Sequence, residues 1–413
     1  MPVFFVIILL MTIQTGYALI LLQPGYTIET WLQLPCEDLG RCMDFTFDDD
    51  GNIYTIHAME NPLVGSVQKI TPDRQLSPLR TDLVDPRKII WAGGTAYGDC
   101  LLVADRQKYN YGVRGEVTKI TLDGEKSRLA WGLNQPNTLE IDRTGNYGGL
   151  LYIANSAHDQ ILTVGPDGGA ASQFSAYPYG ASGSIGQLAF DTTGHFGGQM
   201  FIASGYSILD YSGLFTMDTN GNPARYLDAV EVASSVVFDT TPQASFGGQM
   251  FISQRTADKS QNTILCVSGP NNVTEFAFSN ISPWWCAPRI HFTPEGAMYI
   301  MEYNAAEKMA TFTKLTPTPW KRTIDNIYTV IEHDMNAIEE IEAALKAKYE
   351  ALGHAMQLLE NIADEPYLGQ SDVRASIAQL KSAIQRQENA KEDLLRSIEQ
   401  MQNILELLNG NAG

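Results

Sequence analysis

The feature that most constrains this chain is an internal repeat of about 49 residues. Phe190 to Ile202 reads FDTTGHFGGQMFI, and Phe238 to Ile252 reads FDTTPQASFGGQMFI. Ile141 to Ile153 (IDRTGNYGGLLYI) is a third copy, Phe47–Tyr54 and Phe292–Tyr299 are looser ones, and Ile89–Asp105 completes six. Each copy has the same grammar. A short apolar strand ends in a polar turn, a second strand such as 151–154 follows, and a third, 160–164, runs into Gly165-Pro166-Asp167-Gly168. A weaker fourth strand closes the unit. Alternating β-branched and aromatic residues between such turns specify antiparallel meanders. Four strands per repeat of this length make one propeller blade. A lone blade has two apolar faces and can bury them only against neighbours, so the blades must form a closed ring. The expected fold is therefore mainly β: a six-bladed β-propeller over residues 24–318.

The sixth copy supplies only three strands, 290–293, 297–301 and 309–315. The segment Thr27–Leu34 is expected to supply its fourth, pairing the two ends of the propeller and removing exposed edges.

From about Ile324 the glycines thin out. Ile324, Ile331, Ile338, Leu345, Leu352 and Leu359 recur at sevens, and Ile341, Tyr349, Met356 and Ile362 fill in the stripe. After Pro366 and Gly369 a second run places Val373, Leu380, Leu394, Met401 and Leu408 at multiples of seven, with Ile377, Ile384, Ile398 and Leu405 four residues further on. Such seams specify packed helices. A C-terminal α-helical coiled-coil hairpin over 324–409 is expected, with Gln387 and Lys391 on the seam setting its register or the oligomer state.

Val3 to Leu10 is a short apolar run, with Gly16 and Ala18 as the small residues that flank a signal-peptidase cut. This reads as a signal peptide over 1–18, and places the protein in a secreted, periplasmic or extracellular compartment. The run is too short to span a membrane, and no later stretch is long enough. A net charge of −19 argues against nucleic-acid or anionic-lipid partners. Five cysteines without a CxxC pair disfavour a zinc ribbon. Export permits disulfides, with Cys36–Cys42 and Cys266–Cys286 as the expected pairs and Cys100 left over. Asn272 and Asn280 begin N-glycosylation sequons.

Aligning the copies places His57, Asp105, Asn155, Ser204, Gln254 and Glu302 at the ends of the six second strands. Equivalent positions in a ring share one face. These six polar residues are therefore either a site for a metal or polar ligand or caps on loop backbone. A second ring, Asp44, Lys88, Asn137, Ser235 and Arg289, is expected just before the first strands. Trp284 and Trp285 form a candidate platform for sugar or peptide. No HExxH or GxSxG motif is present. The Phe-Gly-Gly-Gln-Met-Phe repeat enters a strand rather than opening a helix, so it is a tight turn and not a phosphate loop.

Leu151 to Gly168 (LYIANSAHDQILTVGPDG) resembles an NHL-type repeat, and the propeller region resembles the six-bladed group that includes NHL proteins and gluconolactonase-like (SMP-30-type) enzymes. In the latter, the resemblance implies a divalent metal held by Glu, Asn and Asp near the central channel. Gln135–Asp142 is similar to their Asn-bearing segment, with Asn137 in the matching position. Lys88 and Arg289 depart from that pattern, because they would repel a cation. Two function classes follow. One is an exported binding or scaffold protein for a protein or glycan, with a tail for homo-oligomerisation or partner attachment. The alternative is an exported metal-dependent hydrolase or lactonase. The N-terminal resemblance to exported six-bladed propellers also admits a quinone-dependent redox protein.

Overall fold

The computed structural model describes residues 19–60, 63–106, 115–156, 160–176, 185–205, 212–228, 230, 232–241, 244–256, 261–270, 272–279, 281, 287–319, 321–361 and 370–410. The expected signal peptide, Trp284, Trp285, Cys286, Asn280 and the Pro366–Gly369 turn lie outside them. The described residues fall into two compact units. One is built from Met1–Gln23 and Thr27–Pro317, the other from Pro24–Tyr26 and Thr318–Gly413.

The first unit is a ring of six sheets. Two strands precede the blades, β1 (Leu19–Leu21) and β2 (Tyr26–Pro35). Blade one is β3 (Arg41–Phe47), β4 (Ile53–Glu60), β5 (Leu63–Ile70) and β6 (Leu76–Leu83). Blade two is β7 (Pro86–Trp91), β8 (Cys100–Asp105), β9 (Gly115–Thr121) and β10 (Lys126–Leu133). Blade three is β11 (Pro136–Ile141), β12 (Leu151–Asn155), β13 (Gln160–Val164) and β15 (Ser172–Ala176), while the two-residue β14 (Gly169–Ala170) runs parallel to β10 on the edge of blade two. Blade four is β16 (Ile185–Phe190), β17 (Met200–Ser204), β18 (Gly213–Met217) and β19 (Pro223–Leu227). Blade five is β20 (Val232–Phe238), β21 (Met250–Arg255), β22 (Asn262–Gly269) and β23 (Asn272–Ser279). Blade six is β24 (Arg289–Phe292), β25 (Met298–Asn304) and β26 (Met309–Pro317), and its outer strand is β2. The closing strand is thus the one expected from the sequence. β1 was not foreseen; it extends blade five by pairing antiparallel with β23.

The cores lie between blades, as the single-blade argument requires. One cluster joins Ile90, Leu102 and Val117 of blade two to Leu139, Leu151 and Ile153 of blade three. Another joins Ala203 and Leu214 of blade four to Val236, Ile252 and Leu265 of blade five. At the closure, Trp31 and Leu34 of β2 enter one cluster with Phe45 and Ile53 of blade one and Met301 and Phe312 of blade six. The Trp31 ring meets Tyr299 edge-on at 5.5 Å between centroids and Phe312 at 6.5 Å.

The repeated FGGQ and YGGL turns carry a second inter-blade device. In the loop after the first strand, Asp191 accepts from the Thr193 and Gly194 amides through one oxygen and from the Phe196 and Gly198 amides through the other. Asp142 and Asp239 repeat the arrangement. Gly198 and Gly248 have φ of 62° and 66°, which favours glycine. A Cβ there would also strike the preceding blade, 2.7 Å from Asn146 Nδ2 and 2.5 Å from the His195 ring. The Tyr147 hydroxyl donates to Met217 O at 2.5 Å and accepts from Met200 N at 3.0 Å, both in blade four; Tyr97 does the same toward blade three.

Of the cysteines, Cys36, Cys42, Cys100 and Cys266 are buried. Cys36 and Cys42, the expected bridge, both lie in the closure cluster. Cys36 Sγ donates to Leu34 O at 3.3 Å, and Cys266 Sγ to Gln249 Oε1. Hydrogen-bonded thiols inside an apolar cluster pack as small hydrophobes.

The second unit pairs α1 (Lys321–Asn361) with α2 (Gln370–Gly410), 41 residues each. Contacts of Asp334 with Ser397, Glu342 with Lys391 and Lys348 with Gln387 run in opposite order along the two helices, so the hairpin is antiparallel. Ile324 and Ile331 pack with Ile398 and Leu405. Gln387 and Lys391 interrupt the apolar seam with bonds across it, Lys348 Nζ to Gln387 Oε1 at 2.6 Å and Lys391 to Glu342. The inner stripe is narrower than the heptads suggest: Tyr349 and Met356 are 50% and 47% exposed. No described helix is long and apolar enough to cross a membrane.

Trp31→Ala is expected to cost about 3–5 kcal/mol, because it opens a cavity where the ring closes. Thermal denaturation of wild type and variant measures it; a change under about 1 kcal/mol would show that β2 does not hold the closure.

Candidate functional site

All six residues of the outer polar ring are buried: Asp105, Asn155 and Ser204 end β8, β12 and β17, Gln254 is next to last in β21, and His57 and Glu302 lie inside β4 and β25. Two of them cap loop backbone. Asp105 accepts from Val84 N at 3.0 Å and Asp85 N at 2.7 Å, and Asn155 Oδ1 accepts from Asn134 N at 2.6 Å. In each case the capped residue leads into the first strand of the same blade. Ser204 and Gln254 are buried in their equivalent places.

The two ends of the ring differ. His57 Nε2 lies 2.8 Å from Thr55 Oγ1. Burial holds its pKa down to about 4, so the ring is neutral at physiological pH. Glu302 is fully buried, and neither carboxylate oxygen completes a hydrogen bond. Burial pushes its pKa up to about 7, with the nearby Ser279 hydroxyl opposing in part. Of the six, Glu302 is the carboxyl with no structural employment in view.

The inner ring is built on a shared irregularity that the sequence hid. A register shift falls between Cys42 and Asp44, Pro86 and Lys88, Pro136 and Thr138, Ile185 and Gln187, and Ala233 and Ser235. A bulge sets two residues against one. The residues facing the second strand at this level are therefore Asp44, Lys88, Thr138, Gln187, Ser235 and Arg289. Asn137 is the extra residue of its bulge, and Thr138 takes the equivalent place. Alignment of apolar periodicity cannot show this, because the bulge leaves the strand pattern on either side intact.

These side chains bridge blades. Asp44 Oδ2 accepts from Ile89 N at 3.2 Å and from Lys88 Nζ at 3.0 Å. Asn137 Nδ2 donates to Ile185 O at 2.7 Å. Arg289 reaches both ways, Nε to Met43 O at 3.3 Å and a terminal nitrogen to Ser234 O at 3.2 Å. Inner strands of neighbouring blades form no ladder, so side chains satisfy their facing edges. Asp44 sits in an electrostatic cluster. Burial pushes its carboxyl up, but Lys88, His291 at 3.8 Å and Arg289 together hold it well below the usual carboxylate range. Burial lowers His291 and raises Glu140.

Among the described residues no group of three or more His, Cys, Asp or Glu side chains is arranged to hold a metal. Where the gluconolactonase-like resemblance implies a carboxylate–amide ligand set, Asp44 is bound to an ammonium and Asn137 to a backbone carbonyl. The donors do not fit a divalent ion there. A shallow cleft of about 370 Å³ on the rim between blades four and five is lined by Thr193, His195, Asp239, Thr241 and Gly248. Its carboxylate, Asp239, is committed to loop amides.

No protein-family model matches the chain, and no curated protein matches it. Solved structures similar to it include YCF48 bound to D1 peptide, at 10% identity, covering 71% of this chain and 99% of that one, with a TM-score of 0.39. BBS1N in complex with ARL6DN matches at 11% identity over 72% and 98% of the two chains, with a TM-score of 0.39. A Trypanosoma rangeli sialidase matches at 10% identity over 76% and 63%, with a TM-score of 0.37. The blade count rests on the strand topology itself.

Two measurements test the roles assigned here. Lys88→Met leaves the Asp44 charge buried without its partner and is expected to cost about 3–5 kcal/mol, largely recovered in Asp44→Asn/Lys88→Met. A mild effect of Lys88→Met alone in urea unfolding would refute the bridging role. For His57 the folded pKa lies below the unfolded one, so its contribution is present above about pH 6.5 and is lost as pH falls toward 4. His57→Asn is expected to remove roughly 3 kcal/mol of acid sensitivity across that window. Urea midpoints at pH 7.5 and 4.5 that shift equally in both proteins would contradict it.

Proposed function

We propose that this chain is an exported binding protein, in which the propeller is a rigid head for a protein or glycan ligand and the helical hairpin associates with a second copy or a partner. The carrying observation is an unused apolar stripe. Tyr328, Met335, Tyr349 and Met356 lie on α1 at multiples of seven, exposed by 37%, 52%, 50% and 47%. On α2, Leu395, Ile404 and Leu407 are exposed as well. Two helices of this length bury one seam between them and leave a second; a coiled coil of more than two strands would use it. The head supports the same reading from the other side. Its buried polar rings are largely occupied in capping loops and bridging blades, so a rigid scaffold presenting loops accounts for them. The metal-dependent hydrolase alternative gains no such observation.

Light scattering coupled to size exclusion of the full chain is expected to report a dimer or larger at tens of micromolar. Met335→Glu/Met356→Glu, at two exposed positions, is expected to give monomer with an unchanged circular dichroism spectrum. A wild-type protein that stays monomeric at that concentration would remove the self-association half of the proposal.

A further inference from the structure

The exposed stripe on α1 has an order as well as a spacing. At steps of seven it reads Tyr328, Met335, Glu342, Tyr349, Met356, and all five side chains face solvent. The stripe borders α2: the Tyr349 hydroxyl donates to Glu388 Oε1 at 2.5 Å, and Glu342 is held by Lys391. In reverse order the same positions carry Met in place of Tyr and Tyr in place of Met, with Glu342 unmoved at the centre. Charge along the hairpin divides at that same level. The half holding the start of α1 and the end of α2, residues 321–342 and 392–410, has ten acidic and three basic residues. The other half, 343–361 and 370–391, has six basic and four acidic ones.

We infer that the occupant of this stripe is a second copy of the chain, its α1 lying alongside in the opposite direction about a two-fold axis near Glu342. The inference rests on the self-association proposed above and gives it a direction. A two-fold interface uses the same patch on both copies, so the patch must complement itself. The stripe does so only when reversed. Opposed helices set Tyr328 against Met356 of the second copy and Met335 against its Tyr349, so every methionine sulfur meets an aromatic ring, a favourable contact. Helices running the same way would set Tyr on Tyr and Met on Met. Charge selects the same direction. Opposed hairpins lay the acidic half of each against the basic half of the other, whereas any arrangement with both copies pointing one way stacks acidic half on acidic half, which repulsion disfavours. At the axis Glu342 meets its own copy, and each carboxylate already has Lys391 as its partner. The Tyr349–Glu388 bond holds one of the contact rings in place before the second copy arrives, which lowers the ordering cost of association.

Oxidation of the full-chain variant Met335→Cys/Tyr349→Cys tests the direction. The two positions lie two heptads apart, about 21 Å along one helix, so a disulfide between them must join two chains. Mass mapping of the linked peptides is expected to show position 335 joined to position 349. Sedimentation equilibrium of the unmodified chain gives an independent reading. Its association is expected to weaken about fivefold as sodium chloride rises from about 50 mM to about 500 mM, because the facing charges are opposite and salt screens them. A dimer with acidic half on acidic half would tighten instead. A chain that is monomeric at both salt concentrations overturns the self-association reading and this inference together. A dimer that links 335 to 335 and 349 to 349, that forms no 335–349 linkage, or that tightens with salt overturns the opposed arrangement alone, and leaves self-association standing.

Discussion

A propeller blade is a sheet with two apolar faces, and among the described residues of the first unit those faces meet the next blade. Among the described residues, each of five core clusters of the first unit takes its members from two neighbouring blades. Stability is therefore a property of junctions, and a ring has as many junctions as blades only if it closes. The junction between the first and last blades is where closure happens. It is made by a strand from the start of the chain, β2, laid on a blade from the end, with Trp31 set between Tyr299 and Phe312. Because these residues are distant in sequence, this junction bears the largest loop-closure entropy in the fold.

Junctions need more than apolar contact, because the inner strands meet edge to edge without pairing. Their facing amides and carbonyls are met by side chains: Asp44 for Ile89, Thr46 for Trp91, Asn137 for Ile185 and Arg289 for two carbonyls. The recurrent bulge sits at this same level in five blades. Near the rim, the Asp142, Asp191 and Asp239 loops stack through Asn146 and His195 onto the following blade's glycine carbonyl. Polar residues that look like a site in a linear alignment are in large part the fittings of these junctions. Glu302 stands apart, a buried carboxyl placed among those fittings with no bond of its own.

The helical unit obeys a different rule. Its two helices are held by one apolar seam with a polar layer in the middle, where Lys348 meets Gln387 and Lys391 meets Glu342. A polar layer stabilises little, but it penalises sliding, since a shift would strand a lysine or glutamine against apolar side chains. The same heptads that define the buried seam leave Tyr328, Met335, Tyr349 and Met356 facing out. Periodicity counts apolar residues without distinguishing which of two adjacent stripes is covered within the hairpin.

By itself the sequence determined the number of blades, the borrowed closing strand, the Gly-Gly turns and the presence of two long helices. All of these follow from local pattern: strand alternation, turn chemistry and heptads repeat wherever the same short-range physics repeats. It also picked out six polar positions, one on each second strand, because equal repeats place equivalent residues alike. Only the tertiary structure decided what those positions do. The bulge that moves Thr138 into the place assigned to Asn137, the commitment of Asp105 and Asn155 to loop amides and the Asp44–Lys88 pair all depend on neighbours from another blade or on exact register. The reason is physical. A side chain's residue type sets what it can bond, but burial and the partner within reach, contributed by residues tens to hundreds of positions away, set what it does bond.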